Sequence, residues 1–266
     1  MTMLPTLDTD LQRSVGKLAL EIAADGMVAR RREEGCAKLR MPVLTSSQAA
    51  EAIIINTSGG LAGGDCLEIN VQAASDLCLT TQAAEKIYRS LSNETRISAR
   101  LLGRGNARLL WLPQETILFD GAKLERSLEV DLEENATLLA VESVILGRKA
   151  MGESLTDFSF HDRWRIRRGG RLIYADDLRF DPARVLGAAA LDGARAFATL
   201  VFLGSAAERL LEPLREIFTD RGGVSAWDGK LVARLVGMDG YDLRKTLFPA
   251  LTLLAAPNAL PKVLTL

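Results

Sequence analysis

The chain has 266 residues, with 33 basic against 34 acidic side chains and a net charge of −1. That balance excludes the broad positive field of a nucleic-acid binder and favours association with other proteins over high solubility alone. Nearly half of the chain, 48%, is hydrophobic, so the core needs neither a disulfide nor a metal as a staple: a chain of this length buries roughly 70–75% of its unfolded surface.

The expected organisation is a single domain spanning 1–266, mainly β. Residues 17–28 (KLALEIAADGMV) alternate apolar and polar up to a turn at Asp25-Gly26. Residues 30–40 are charged and read as a link. Residues 48–55 end in the apolar run AIII and break into NTSGGLAGGD. Leu67, Ile69 and Val71 alternate again, followed by Leu77 and Leu79. Residues 97–102 and 108–112 repeat the pattern around the turn-forming GRGN. Leu124, Arg126, Leu128, Val130 and Leu132 share one phase of a further strand. Residues 138–146 (LLAVESVIL) are apolar on both faces, as in a strand covered from both sides. Residues 163–174 predict a hairpin turning at Gly169-Gly170, and residues 198–203 predict a strand. About two helices come late. One starts at a Ser205–Glu208 capping box, carries Leu210, Leu211, Leu214, Ile217 and Phe218 and stops at Gly222-Gly223. The other covers residues 241–254, with Pro249 expected to kink or break it.

No apolar run reaches 18 residues, so no membrane span is expected. MTMLPTLDTDLQ has neither the basic start nor the apolar stretch of a signal peptide. Cys36, Cys66 and Cys78 are odd in number and lack CxxC spacing, which reads as reduced thiols in a cytoplasmic protein. The Gly-rich loop at 59–65 does not open a helix and lacks GK[ST], so a turn or a close backbone approach is expected rather than a phosphate site. His161 is the only histidine, and no GxSxG elbow accompanies it. One His and three scattered Cys do not make a structural zinc set. In RWRIRRGGR, Arg163, Arg165 and Arg167 fall on one face, a solvated surface or a rim for an acidic protein.

The carboxylates are more informative. In TTQAAEKIYRS (80–90), read as extended, Glu85 shares a side with Thr81, Ala83 and Ile87; in WLPQETILFDGA (111–122), Glu115 groups with Trp111, Ile117 and Phe119. Glu142 sits inside the apolar LLAVESVIL. A charge in such a place needs a counter-charge, a metal or a wet cavity. An ion pair, such as Glu85 with a nearby Arg, is the plain alternative for each.

TTQAAEKIYRS, WLPQETILFDGA, GGLAGGD (59–65), ESVILGRKAMGE (142–153) and RWRIRRGGRLIYADDLR (163–179) together resemble the urease accessory protein UreD, called UreH in some species, closely over residues 17–181. The resemblance implies a non-enzymatic chaperone with a mainly β fold of stacked, β-helix-like sheets. It implies binding to the apo-urease structural subunits and to UreF, which bridges to the GTPase UreG, in an accessory complex that can dimerise. No tightly bound cofactor is implied; transient nickel(II) would pass along Asp65, Glu85, Glu115, Asp120, Glu142, Glu153 and Asp176. The tail LPKVLTL departs from the family's usual ending. Two other readings stand beside this one: a small-molecule enzyme with Glu115 or Glu142 as acid or base near the 59–65 loop, and a scaffold in which every carboxylate is structural.

Overall fold

The computed structural model describes residues 13–42, 49–91, 93–148, 152–153, 155–185, 190–255 and 260–264. The strands are β1 (Val15–Ile22), β2 (Val28–Gly35), β3 (Ala37–Arg40), β4 (Ala50–Asn56), β5 (Cys66–Ala73), β6 (Leu77–Thr81), β7 (Glu85–Ile87), β8 (Thr95–Gly103) and β9 (Arg108–Leu112). They continue with β10 (Thr116–Leu118), β11 (Lys123–Leu132), β12 (Thr137–Leu146), β13 (Ser159–Arg168), β14 (Arg171–Phe180), β15 (Ala196–Leu203), β16 (Gly222–Trp227) and β17 (Lys230–Gly237). Among the described residues the α-helices, α1 (Pro182–Val185), α2 (Leu211–Phe218) and α3 (Gly240–Leu254), all lie late in the chain.

From β4 onward the chain winds. β4, β6, β9 and β12 pair in parallel in one sheet, and β5, β8, β11 and β13 in the other, so each turn adds one strand to each sheet. This is the stacked, β-helix-like arrangement expected. Antiparallel strands finish the first sheet, in the order β14-β13-β11-β8-β5-β1-β2. The second sheet runs β16-β17-β15-β12-β9-β6-β4-β3, with β7 and β10 attached beside β12. Leu61, β7, β10 and the end of β12 thus stack at one corner of the winding.

Alternation decides what is buried. Leu18, Ile69, Val71, Leu79, Leu128, Leu138 and Trp164 fill the space between the sheets. A second core lies on the outer face of the second sheet, where Leu110, Leu112, Leu139, Val141 and Leu200 meet Leu214 and Phe218 of α2 and Leu243, Leu247 and Leu251 of α3. β12 is therefore covered from both sides, as its apolar run predicts. The outer face of the first sheet is polar, with Lys17–Glu68, Arg96–Glu125 and Arg100–Glu129 paired across neighbouring strands.

Four local expectations need correction. Residues 30–40 are not a link: they form most of β2 and all of β3. β2 is the outer strand of its sheet and exposed along most of its length, so its charges stay solvated and guard an open edge. The capping box at Ser205 does not form. The Glu208 carboxylate accepts the Gly229 N–H at 2.7 Å instead, and α2 starts at Leu211 without a side-chain cap. That helix ends at Phe218 with Thr219 at φ 49°, while Gly222-Gly223 opens β16. Pro249 does not break α3, which runs on to Leu254; packing of Leu243, Leu247, Leu251 and Leu254 outweighs one missing N–H. No helix among the described residues is long and apolar enough to cross a membrane.

Candidate functional site

The winding corner holds part of the set of carboxylates singled out in the sequence, Glu85 and Glu115 first among them. On β7, Lys86 is exposed and Ile87 is fully buried, which places Glu85 on the inner side. Its Oε1 accepts from Asn56 Nδ2 at 3.0 Å, and its backbone N–H donates to the Glu115 carbonyl at 2.9 Å. The expected arginine is not its partner, and among the described residues Glu85 forms no ion pair. Burial pushes its carboxyl up to about 7, more than the Asn56 bond and Lys86 pull it down.

A pH dependence follows. The folded state holds this proton more tightly than the unfolded chain, so Glu85 favours folding at acid pH, and that contribution is lost as pH rises from the ordinary glutamate range through about 7. Glu85→Gln is expected to remove this part of the pH dependence and to be the more stable form at pH 8; urea midpoints at pH 5 and pH 8 check it.

Glu115 is held from the other side. Pro113 ends β9, so Trp111 and Glu115 do not share a face as their spacing suggested: Trp111 points between the sheets and Glu115 points out to α3. Arg244 of α3 grips both Glu115 oxygens, the Nη2 bond being 3.1 Å, and also bonds Gln114 Oε1. Gln114 in turn donates its N–H to Thr81 Oγ1 at 2.9 Å and its side-chain amide to the Val263 carbonyl at 3.1 Å.

Behind the corner, Glu142 enters a buried clamp between the sheets. Arg126 of β11 donates to Glu142 at 2.6 Å, to both oxygens of Asp162 at 3.1 and 2.7 Å, and to Thr116 Oγ1 at 3.0 Å. Trp111 Nε1 donates to Glu142 at 2.8 Å, and Trp164 Nε1 to Asp162 at 3.1 Å. Burial works against the charge of Arg126, yet Asp162 and Glu142 outweigh it and hold the guanidinium above its ordinary value. Burial also pushes the Glu142 carboxyl up, against the pull of Arg126.

The other candidates are engaged separately. Asp120 accepts the Thr156 and Asp157 N–H groups at 2.7 and 3.1 Å and Arg89 at 2.8 Å, and the two backbone bonds hold its carboxyl below the ordinary range. Glu153 pairs with Arg148, whose hydrogen bonds lower it, and accepts the Asp120 N–H at 3.4 Å. Asp65 clamps the Gly-rich loop by accepting from Ser14 N and Ala62 N, both at 2.7 Å. Asp176 pairs with Arg234 on β17. The loop itself leads into β5, a strand, and Gly60 lets the backbone pass close under Tyr88. His161 bonds Asp177 at 3.1 Å on the polar face. Cys78 is buried and its thiol pushed up by burial, while Cys36 and Cys66 are half-buried.

The structure therefore joins Glu85 to Glu115 and Asp120 to Glu153, and sets Glu142, Asp65 and Asp176 apart. Among the described residues no group of three His, Cys, Asp or Glu side chains converges to hold a metal ion. Arg126, Asn56 and Arg244, not singled out as site residues in the sequence, are the groups that answer the carboxylates, and Asp162 shares Arg126 with Glu142.

A sequence model of the UreD urease accessory protein matches residues 14–264. The chain belongs to the UreD family. It is 49% identical to the urease accessory protein UreD of Agrobacterium fabrum over 236 residues, 87% of this chain and 83% of that one. It is 45% identical to the UreD of Rhizobium leguminosarum bv. trifolii over 98% of both chains. It is 44% identical to UreD 1 of Brucella abortus over 96% of this chain and 95% of the other. The UreD match thus runs past residue 181 through α3 to Leu264, further than the sequence motifs reached. Membership settles the choice between accessory protein and enzyme in favour of the first; Glu115 and Glu142 are each tied to an arginine.

Proposed function

We propose that the protein acts in the cytoplasm, as one domain, as a maturation chaperone of urease. It binds the apo-urease subunits and UreF, reaches UreG through UreF, and passes nickel(II) toward the urease active site. The observation that carries the nickel step is Glu85, a largely buried carboxylate at the winding corner that meets neutral donors, the Asn56 amide and the Lys86 N–H, and forms no ion pair among the described residues. The strand that carries it is tied to the next by the Glu85 N–H, which donates to the Glu115 carbonyl. Oxygen ligands hold a divalent transition metal loosely, and a passage works only if the ion leaves as readily as it enters. Glu115, Asp120 and Glu153 would flank the path as already satisfied groups, with Asp65, Glu142 and Asp176 engaged away from it.

The test is co-expression with the urease subunits, with and without UreF and UreG. Retention of urease, strengthened by UreF, supports the accessory role; a chain that elutes alone in every mixture refutes it. Glu85→Ala then separates conduit from scaffold. Complexes that assemble normally around nickel-poor urease are the expected result, and normal activation would leave only the scaffold.

A further inference from the structure

Asn56 is the last residue of β4 and pairs with Ala37 of β3. Beyond it the chain turns into the Gly-rich loop, and Asn56 itself closes that turn. Its Oδ1 accepts the Ser58 N–H at 3.0 Å, with the Ser58 hydroxyl 2.6 Å from the same oxygen. This is the turn an asparagine makes by bonding the backbone two residues on. The turn is anchored in its own right, because the Thr57 N–H and hydroxyl both donate to the Cys36 carbonyl, at 2.9 and 3.1 Å. The Asn56 amide is therefore locked: reversing it would set its NH2 against the Ser58 N–H, donor against donor. With Oδ1 committed to Ser58, Nδ2 is committed to Glu85 Oε1 at 3.0 Å.

We infer that Asn56 is a positioning residue for nickel(II) transit: held by Ser58, it keeps one oxygen of Glu85 covered and limits that carboxylate to a weak, one-sided contact with the ion. The inference rests on the reading of Glu85 as the group that meets the cargo. The choice of partner is what matters here. A lysine or arginine at this place would cancel the charge of Glu85, as Arg244 does for Glu115. A second carboxylate would complete a chelate, and affinity for a divalent ion rises with the number and charge of its oxygen ligands. An amide donor does neither. It fixes the direction of the carboxylate and leaves its charge in place. Among the described residues no third His, Cys, Asp or Glu side chain converges to tighten the grip, so Asn56 sets how firmly the ion is held.

The experiment measures nickel(II) binding to the purified chain by equilibrium dialysis, with thermal melting of each variant, and the nickel content of urease co-expressed with it, UreF and UreG. Asn56→Asp keeps an oxygen for Ser58 and turns a second carboxylate oxygen toward Glu85. It is expected to hold nickel(II) about tenfold tighter than wild type or more, and to leave urease nickel-poor although the complexes assemble. Adding Glu85→Gln is expected to return the affinity to the wild-type level. Asn56→Ala uncovers the Glu85 oxygen without adding a charge and is expected to fall between wild type and Asn56→Asp, which decides the matter if Asn56→Asp melts early. Unchanged affinity in both Asn56 variants overturns the inference, and so does a gain that survives Glu85→Gln, since the ion would then sit elsewhere. Glu85→Ala that activates urease normally removes the conduit reading and this inference with it. Glu85→Ala that leaves urease nickel-poor while Asn56→Asp loads it normally sinks the positioning role alone.

Discussion

Arg126→Met is expected to lower stability by about 3–5 kcal/mol, the usual cost of removing one partner from a buried ion pair. Glu142 and Asp162 would then face each other between two apolar sheets, each 4–6% exposed alongside Arg126 in the native clamp, with only a tryptophan N–H apiece to satisfy them. In a chain of this size that corresponds to a fall of roughly 10 °C in melting temperature. The triple variant Arg126→Met, Glu142→Gln, Asp162→Asn removes the charges together and keeps amide oxygens for Trp111 and Trp164. It is expected to recover part of the loss, since no charge is left stranded, the remainder being the cost of the newly buried amide N–H groups. Urea midpoints of the single and triple variants decide. A triple variant as unstable as the single one would place the loss in packing, for instance of Arg126 against the Phe160 ring 5.4 Å away, rather than in stranded charge.

Gly60→Ala is expected to cost about 2–3 kcal/mol. Gly60 sits at φ +141°, and an added Cβ would overlap Tyr88 Cε2 and lie 2.9 Å from the Lys86 carbonyl. That carbonyl is not free to retreat, because it accepts the Leu61 N–H at 2.8 Å while Tyr88 N donates to Leu61 O at 2.7 Å. The substitution therefore strains the stitch between the Gly-rich loop and β7. Gly59→Ala is the control: its φ is +75° and nothing lies within 4 Å of the new carbon, so it carries only the left-handed backbone cost, about 1–2 kcal/mol. Adding Tyr88→Ala to Gly60→Ala should return part of the difference and leave the part due to Lys86. Equal losses in Gly59→Ala and Gly60→Ala would show that the loop relaxes freely.

Much of the winding was legible because each strand announces its buried phase. Leu67, Ile69 and Val71 of β5 and the two-sided apolar run of β12 state which faces are covered. Arg126 was equally visible, a cation in the buried phase of β11, and Glu142 an anion in that of β12. Each poses the same physical problem, and the two solve it jointly. Their meeting was not legible, because it arises from the turn-by-turn offset of the winding rather than from spacing in the chain. Arg244 and Glu115 are 129 residues apart, and no local pattern brings α3 to the corner. Glu85 misled in a different way: an enclosed carboxylate suggests a cation, and an asparagine on the preceding turn takes its place. At Ser205 local capping chemistry lost to a tertiary contact, the Glu208 bond to the β16–β17 turn. The alternation of β17, with Leu231, Ala233 and Leu235 buried, was available and unused.

The second core has a further consequence for how the chain is made. Turns from β4 to β13 each pair with the turn before, so they can be laid down in the order in which they leave the ribosome. The outer face of the second sheet cannot be finished that way. Leu110, Leu112, Leu139 and Val141 are covered by helices that begin at residues 211 and 240, so this face stays wet until nearly the whole chain has been synthesised. Parallel, non-local pairing is slow to complete, and a broad apolar face left open meanwhile is adhesive. A nascent or truncated chain lacking α3 is therefore sticky as well as short, and the last helix serves as the seal that ends the need for protection.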